Sequence, residues 1–197
     1  QEEVEDENGQ IYFKQRETDF TIDEDRKLNV ANFMAKVMAA GYMLHDYRNY
    51  GEMKAVICMD GEESEVGRSN GGTGKSIWMT QFERIVKMEV IDGKKRNLTD
   101  DEFIYSNVDE RTQIIGFDDC RVNLDIEHFF SQMTRGIEIN AKREKRYKLE
   151  PPKFIFSTNH AFRGDGNSFY RRQYFLSFSD YYNAHRGVDD DFGHQFF

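Results

Sequence analysis

The sequence predicts an α/β fold, a mostly parallel β-sheet covered by helices and preceded by a small helical segment. Short apolar runs bounded by glycine or polar residues alternate with stretches of helical spacing, as parallel strands joined through crossover helices do. A glycine-rich stretch, residues 69–76, separates one such run from a helical stretch. Two later runs end in side chains able to do chemistry, Asp118 with Asp119 and then Asn159.

Residues 1–26 are polar and acidic, with Glu2, Glu3, Glu5, Asp6 and Glu7 near the start, and read as a linker or the tail of a preceding domain. From Leu28 the pattern turns helical, because Val30, Phe33, Met34, Val37, Met38 and Tyr42 recur three and four apart. Residues 27–50 are therefore an N-terminal helical segment whose Met and Phe stripe is expected to pack in the core. Residues 51–197 form the main domain. Its strands are expected at 53–59, between Gly51 and Gly61, at 89–92 before Gly93, at 113–117, at 153–156 and at 174–178. Helices are expected from Ile77 to about Met88 and over 126–133. No internal repeat interrupts this order.

With 17 Phe and 10 Tyr in 197 residues, the chain is too rich in aromatics to be disordered and long enough to bury a core. It opens on Gln1 and closes on Phe196 and Phe197, and reads as an excised piece of a longer protein. Cys58 and Cys120 stand far apart outside any CxxC pattern, which favours a reducing cytosol over a disulfide framework or zinc site. No apolar run approaches the roughly 20 residues that span a bilayer, and no signal peptide is visible. The formal net charge of −9 speaks against a nucleic-acid partner until its distribution is considered. Acidic residues crowd both ends, whereas residues 142–148 carry five basic residues against one Glu.

Residues 69–76 read Ser-Asn-Gly-Gly-Thr-Gly-Lys-Ser. Glycines let successive backbone N–H groups turn inward on an anion above a helix N-terminus. Asn70, Gly71, Gly72, Thr73 and Gly74 would cradle phosphates, Lys75 would reach the outer ones and Ser76 would join a magnesium shell. The alternative is a flexible glycine linker. Asp118 and Asp119, following the apolar run 114–117, suit magnesium and the orientation of a water; paired acids there also suit a turn with a helix N-cap. Asn159, after Phe154, Ile155, Phe156, Ser157 and Thr158, suits a γ-phosphate sensor, and equally a helix cap. Arg171 and Arg172 precede the last strand, where a guanidinium can serve a neighbouring subunit's γ-phosphate or simply meet surface acids.

The ordered set Gly71-Gly72-Thr73-Gly74-Lys75-Ser76, Phe117-Asp118-Asp119, Phe156-Ser157-Thr158-Asn159 and Arg171-Arg172, with Phe178 beyond, resembles superfamily 3 helicases. The likeness is to the helicase portion of phage, plasmid and poxvirus-type primase-helicases and covers residues 50–197. Asp191-Phe192-Gly193 with Phe196 and Phe197 is similar to phage members. Ser69 departs from the pattern, standing where the loop's first glycine belongs.

The resemblance implies an AAA+-type P-loop NTPase core acting as a homo-hexameric ring, with ATP and Mg2+ at subunit interfaces. It implies movement along single-stranded DNA, typically 3′ to 5′, in a replication role, and allows for a primase domain on the same chain. By this carry-over Lys75 and Ser76 hold phosphate and magnesium, Asp118 and Asp119 share magnesium and water activation, Asn159 is the sensor, and Arg171 is favoured over Arg172 as the finger. A bacterial or phage-infected cytoplasm is the implied setting. The family also places a β-hairpin before the sensor strand, its basic tip facing the ring channel; residues 137–148 sit there, with Lys142, Arg143, Lys145, Arg146 and Lys148. A basic cluster with one aromatic can track a phosphate backbone, or be a solvated loop. The chief alternative is an AAA+-type ATPase that loads or remodels a protein. A module that has lost turnover, or a small-molecule kinase, fits less of the motif set.

Overall fold

The computed structural model describes residues 2–5, 11–14, 23–61, 72–140, 145–183 and 185–194. The chain divides into two compact units, Gln1–Ala35 and Lys36–Phe197. In the first, β1 (Glu2–Glu5) and β2 (Ile11–Lys14) pair as an antiparallel ribbon. The sequence reading had a linker or the tail of a preceding domain there; the brief apolar stretch at Ile11, Tyr12 and Phe13 supplies the second strand, as β-branched and aromatic residues favour.

Helix α1 (Asp23–Leu44) runs longer than the apolar spacing predicts. The expected stripe does not enter a core: Val30, Phe33, Met34, Val37 and Met38 are exposed, and Ala39 and Met43 are the buried positions. Helical spacing identifies a face but not what covers it, and within the second unit the end of α1 lies against the sheet. There the Tyr42 hydroxyl donates to the Lys54 carbonyl (3.1 Å) and accepts the Lys54 N–H (3.0 Å).

The second unit is built on β3 (Ala55–Asp60), α2 (Lys75–Thr80), a 3-10 turn at Gln81–Arg84, β4 (Met88–Asp92), β5 (Ile114–Cys120) and α3 (Glu127–Arg135). Next come β6 (Ile137–Ile139), β7 (Tyr147–Leu149), β8 (Lys153–Thr158), α4 (Asn167–Arg171), β9 (Gln173–Phe178) and α5 (Val188–Phe192). The helix expected up to Met88 ends earlier, because Met88 already pairs with Ile114 in the sheet.

The five-stranded sheet has the order β4-β5-β8-β3-β9, and every pair in it is parallel. Parallel strands need covered faces; β3 accordingly reads as a near-continuous apolar run, and every residue of β8 is buried. Alternation along β5 divides the two faces. Gly116 turns toward α2, where an added Cβ would stand 2.4 Å from Met88 Cε and 3.4 Å from Met79 Sδ. Phe117 turns toward α3, into a cluster with Phe129, Phe154 and Phe156. Because β8 lies between β3 and β5, the loops after these three strands open on one edge of the sheet. Ligands settle in such crevices outside the carboxyl ends of parallel strands.

Lys153, at the start of β8, is fully buried. Its ammonium donates to the carbonyls of Tyr42 and His45 at the end of α1 and lies 4.7 Å from the Tyr42 ring centroid. It thus satisfies carbonyls that a helix end leaves open. Burial lowers its pKa from 10.5 to about 8. Between those values the unfolded chain holds a proton that the folded chain has released, so this group adds stability as pH rises through the window and nothing below it. Urea midpoints from pH 7 to 10 are expected to rise more steeply for the native sequence than for Lys153→Met.

Candidate active site

The loop after β3 returns at Gly72 and enters α2 through Thr73 and Gly74. Gly72 (φ 91°) and Gly74 (φ 92°) occupy the left-handed region that side chains resist. Gly72 also lies against the backbone of Asn183, 3.7 Å from where its Cβ would be. Asn70 and Gly71 lie outside the described residues. Lys75 opens α2 and is buried, its ammonium 2.5 Å from Asp60 Oδ1 and 3.1 Å from the Thr73 hydroxyl.

Asp118 and Asp119 do not follow the strand, as the sequence suggested, but lie within it. The register of β5 against β8 shifts between Phe117 and Cys120, and Asp119 takes φ 53°. In a regular strand neighbouring side chains point to opposite faces; an irregularity of this kind re-aims them, and here both carboxylates line the same cleft. Ser76 Oγ donates to Asp118 Oδ1 at 3.0 Å, joining the loop to the acidic strand. Ser157 Oγ donates to the same Asp118 oxygen and accepts the Asp119 N–H at 2.7 Å. Lys94 forms an ion pair with Asp119, which raises the Lys94 pKa through the hydrogen bond. Gly93 makes that approach feasible, since its N–H donates to the Asp118 carbonyl at 2.6 Å and an added Cβ would stand only 2.6 Å from that oxygen.

These groups line a cleft of about 620 Å³ that also includes Asn159 and His160. Thr158 Oγ1 accepts the His160 N–H and donates to its carbonyl, fixing the turn that carries Asn159. The Asn159 amide makes no side-chain hydrogen bond among the described residues, so the helix-cap alternative is not what the structure shows.

A second, apolar pocket adjoins the cleft and shares Thr73, Gly74 and Ile77 with it. Its walls include Trp78, Gln81, Phe178, Tyr181, Tyr182 and Lys36. The Lys36 ammonium stands 4.3 Å from the Phe178 ring centroid, and burial lowers its pKa.

Neither the protein-family models nor the curated proteins contain a match to this sequence. Among solved structures, the apo A form of the C-terminal region of NrS-1 matches with a TM-score of 0.52 at 15% identity. The match covers 77% of this chain and 34% of that one, so the chain spans about a third of that structure's length. The likeness is one of fold.

The remaining predicted residues sit apart from the cleft. Arg171 and Arg172 lie where α4 meets β9, at the amino end of a strand whose carboxyl end is beside the cleft. Six residues of strand, about 17 Å, separate them from that edge. Arg172 donates to the Ser168 carbonyl at 3.1 Å and lies over the Phe130 ring, whereas the Arg171 guanidinium is exposed with no side-chain polar partner among the described residues.

The expected hairpin forms. Strands β6 and β7 pair Ile137 with Leu149 and Ile139 with Tyr147, burying the two isoleucines. Gly136 (φ 87°) starts it where an added Cβ would strike the Leu149 carbonyl at 2.1 Å. Because β7 runs into the start of β8, the hairpin emerges opposite the cleft. Lys142 and Arg143 lie outside the described residues, as do Phe196 and Phe197. Lys145 and Lys148 are exposed; Arg146 is paired with Glu102 at 2.6 Å, which neutralises part of its charge.

Sequence reasoning missed Asp60, Ser157 as a bridge, and Lys94. Asp60 carried one signal, a lone acid closing an apolar strand just ahead of the loop. Cys58 and Cys120 are both buried free thiols, and burial pushes Cys58 up to about 12. No described helix is long and apolar enough to cross a membrane.

Proposed function

We propose that this chain is the ATP-hydrolysing core of a DNA helicase or translocase of superfamily 3 type, acting in replication as a homo-hexameric ring. The observation that carries the reading is the meeting of three segments in one cleft: Lys75 and Ser76 at the start of α2, Asp118 and Asp119 on the irregular end of β5, and Ser157 near the end of β8 with Asn159 just after it. The fold likeness to the C-terminal region of NrS-1 is compatible with it.

In this reading the glycine loop and Lys75 bind the triphosphate. The residues fit magnesium bound to a nucleotide: Ser76 and Asp118 place two hard oxygens side by side, and magnesium on a nucleotide takes only one or two protein carboxylates. Ser76 and Asp118 would hold the ion, with Asp119 beside them. When bound, the ion supplies positive charge against the charge that develops on the phosphates. Asn159 orients water toward the outer phosphate, and the aromatic pocket beside the loop receives the base.

The position of Arg171 supports a role in trans, because it is exposed and lies a full strand length from its own chain's cleft. Lys142, Arg143, Lys145, Arg146 and Lys148 on the hairpin would grip single-stranded DNA, with Arg146 the weakest contributor while Glu102 holds it.

The test is ATP hydrolysis by the purified chain with and without single-stranded DNA, at low and high salt. The expected result is turnover that DNA stimulates and that loses the stimulation as salt rises, since phosphate contacts release counterions. Turnover indifferent to DNA would instead favour the remodelling of a protein partner.

A further inference from the structure

We infer that Asp60 is a latch on the phosphate loop, a positioning residue that holds Lys75 away from the nucleotide phosphates and so sets how tightly the site binds them. The inference rests on the reading of residues 72–76 as a phosphate loop.

Asp60 closes β3, and its side chain is only 5% exposed. Its Oδ1 receives the Lys75 ammonium at 2.5 Å and the Thr73 hydroxyl at 2.9 Å. Its Oδ2 is buried without a hydrogen-bond partner among the described residues. Among the described residues the carboxylate therefore has those two donors, both of which belong to the loop that a triphosphate would occupy. Nucleotide entry becomes an exchange in which phosphate oxygens replace Asp60 on the ammonium.

That exchange is costly on the protein side. Once Lys75 turns toward the cleft, Asp60 stays buried with the neutral Thr73 hydroxyl as its one remaining donor among the described residues, and an uncompensated buried charge is strongly disfavoured. The nucleotide-free chain is thereby biased toward a state in which Lys75 is engaged. Apparent affinity falls by the fraction of molecules in which it is free. Ser76, Asp118 and Ser157 form their own hydrogen-bonded set and do not touch Asp60, so the latch acts on phosphate binding through Lys75 and Thr73 alone.

Asp60→Asn keeps the shape and an acceptor for Thr73 but removes the charge that competes for the ammonium. The experiment is calorimetric titration of the purified chain with magnesium tripolyphosphate, a probe without a base, and then with ATP. The chains compared are the native sequence, Asp60→Asn, Asp60→Ser, Lys75→Ala and Asp60→Asn with Lys75→Ala, each checked by a melting curve. The expected result is tripolyphosphate binding at least about tenfold tighter in Asp60→Asn, with the gain absent when Lys75 is Ala. Simple damage to the loop would weaken binding, so the sign of the change separates the latch from a structural role.

Unchanged or weaker binding by folded Asp60→Asn and Asp60→Ser would overturn the latch while leaving the phosphate loop intact, provided Lys75→Ala still loses binding. Unfolding of both Asp60 variants would make the residue structural and overturn it as well. Absence of binding in every chain, the native one included, would remove the phosphate-loop reading and the latch with it.

Discussion

Replacing Lys75 with Ala is expected to lower ATP hydrolysis at least about 10²- to 10³-fold, the usual cost of removing one fixed group that meets developing charge in a dry site. The ammonium stands at the start of α2, where backbone N–H groups already favour an anion, and among the described residues 72–76 of the loop it is the one positive charge. The same substitution strands Asp60, which is 8% exposed, without its cation. Breaking a buried pair from one side costs about 3–5 kcal/mol, so Lys75→Ala is also expected to melt at a lower temperature. The two effects separate in the double variant Lys75→Met with Asp60→Asn, which removes both charges: stability should largely return and activity should not. Wild-type turnover by folded Lys75→Ala would sink the phosphate-loop assignment.

How much of this was legible in the sequence follows from the range of the forces involved. The strands of the sheet read correctly because each is a short apolar run between breakers, and burial on both faces imposes that pattern. The glycine loop, Asp118, Asp119 and Asn159 stood out because phosphate and magnesium chemistry would call for those residue types near strand ends, and the structure brings Gly72, Gly74, Asp118, Asp119 and Asn159 to one cleft. The α1 stripe misled: spacing at Val30, Phe33, Met34, Val37 and Met38 is that of a buried face, yet those side chains are exposed. A pattern local to the chain cannot say which surface meets it.

The irregularity in β5 was hidden for a related reason. Nothing at Asp118, Asp119 or Cys120 marks a register shift; it arises where β5 must match β8 and still present two acids to one cleft. Ser157, Lys94 and Asp60 were hidden because a small or common polar residue acquires a role only through its partner, here a residue 38, 25 or 15 positions away.

The second large effect concerns the platform beneath the acids. Phe117→Ala is expected to cost about 3–5 kcal/mol, the range for a buried aromatic truncated in a core that cannot fully collapse. Phe117 is completely buried. Its ring stacks on Phe156 at 5.0 Å and 8°, and lies 4.7 Å from Phe129 and 6.3 Å from Phe154. Those partners come from α3 and β8, so one deletion loosens the sheet and the helix that covers it. A domain's whole margin is about 5–15 kcal/mol, which makes this a large share of it. In a domain of this size it corresponds to a fall in melting temperature of roughly 6 to 20 °C. Phe117→Leu keeps most of the apolar volume and should lose clearly less. The truncation should also reach function. Asp118 follows Phe117 directly, and the register shift that turns both carboxylates into the cleft begins there, so a slack anchor lets the acids drift from Ser76 and Ser157. Magnesium-dependent turnover measured well below the new melting point is therefore expected to fall even while the protein is folded. A variant that loses stability but keeps full turnover would show that the bulge, not the aromatic stack, holds the acids in place.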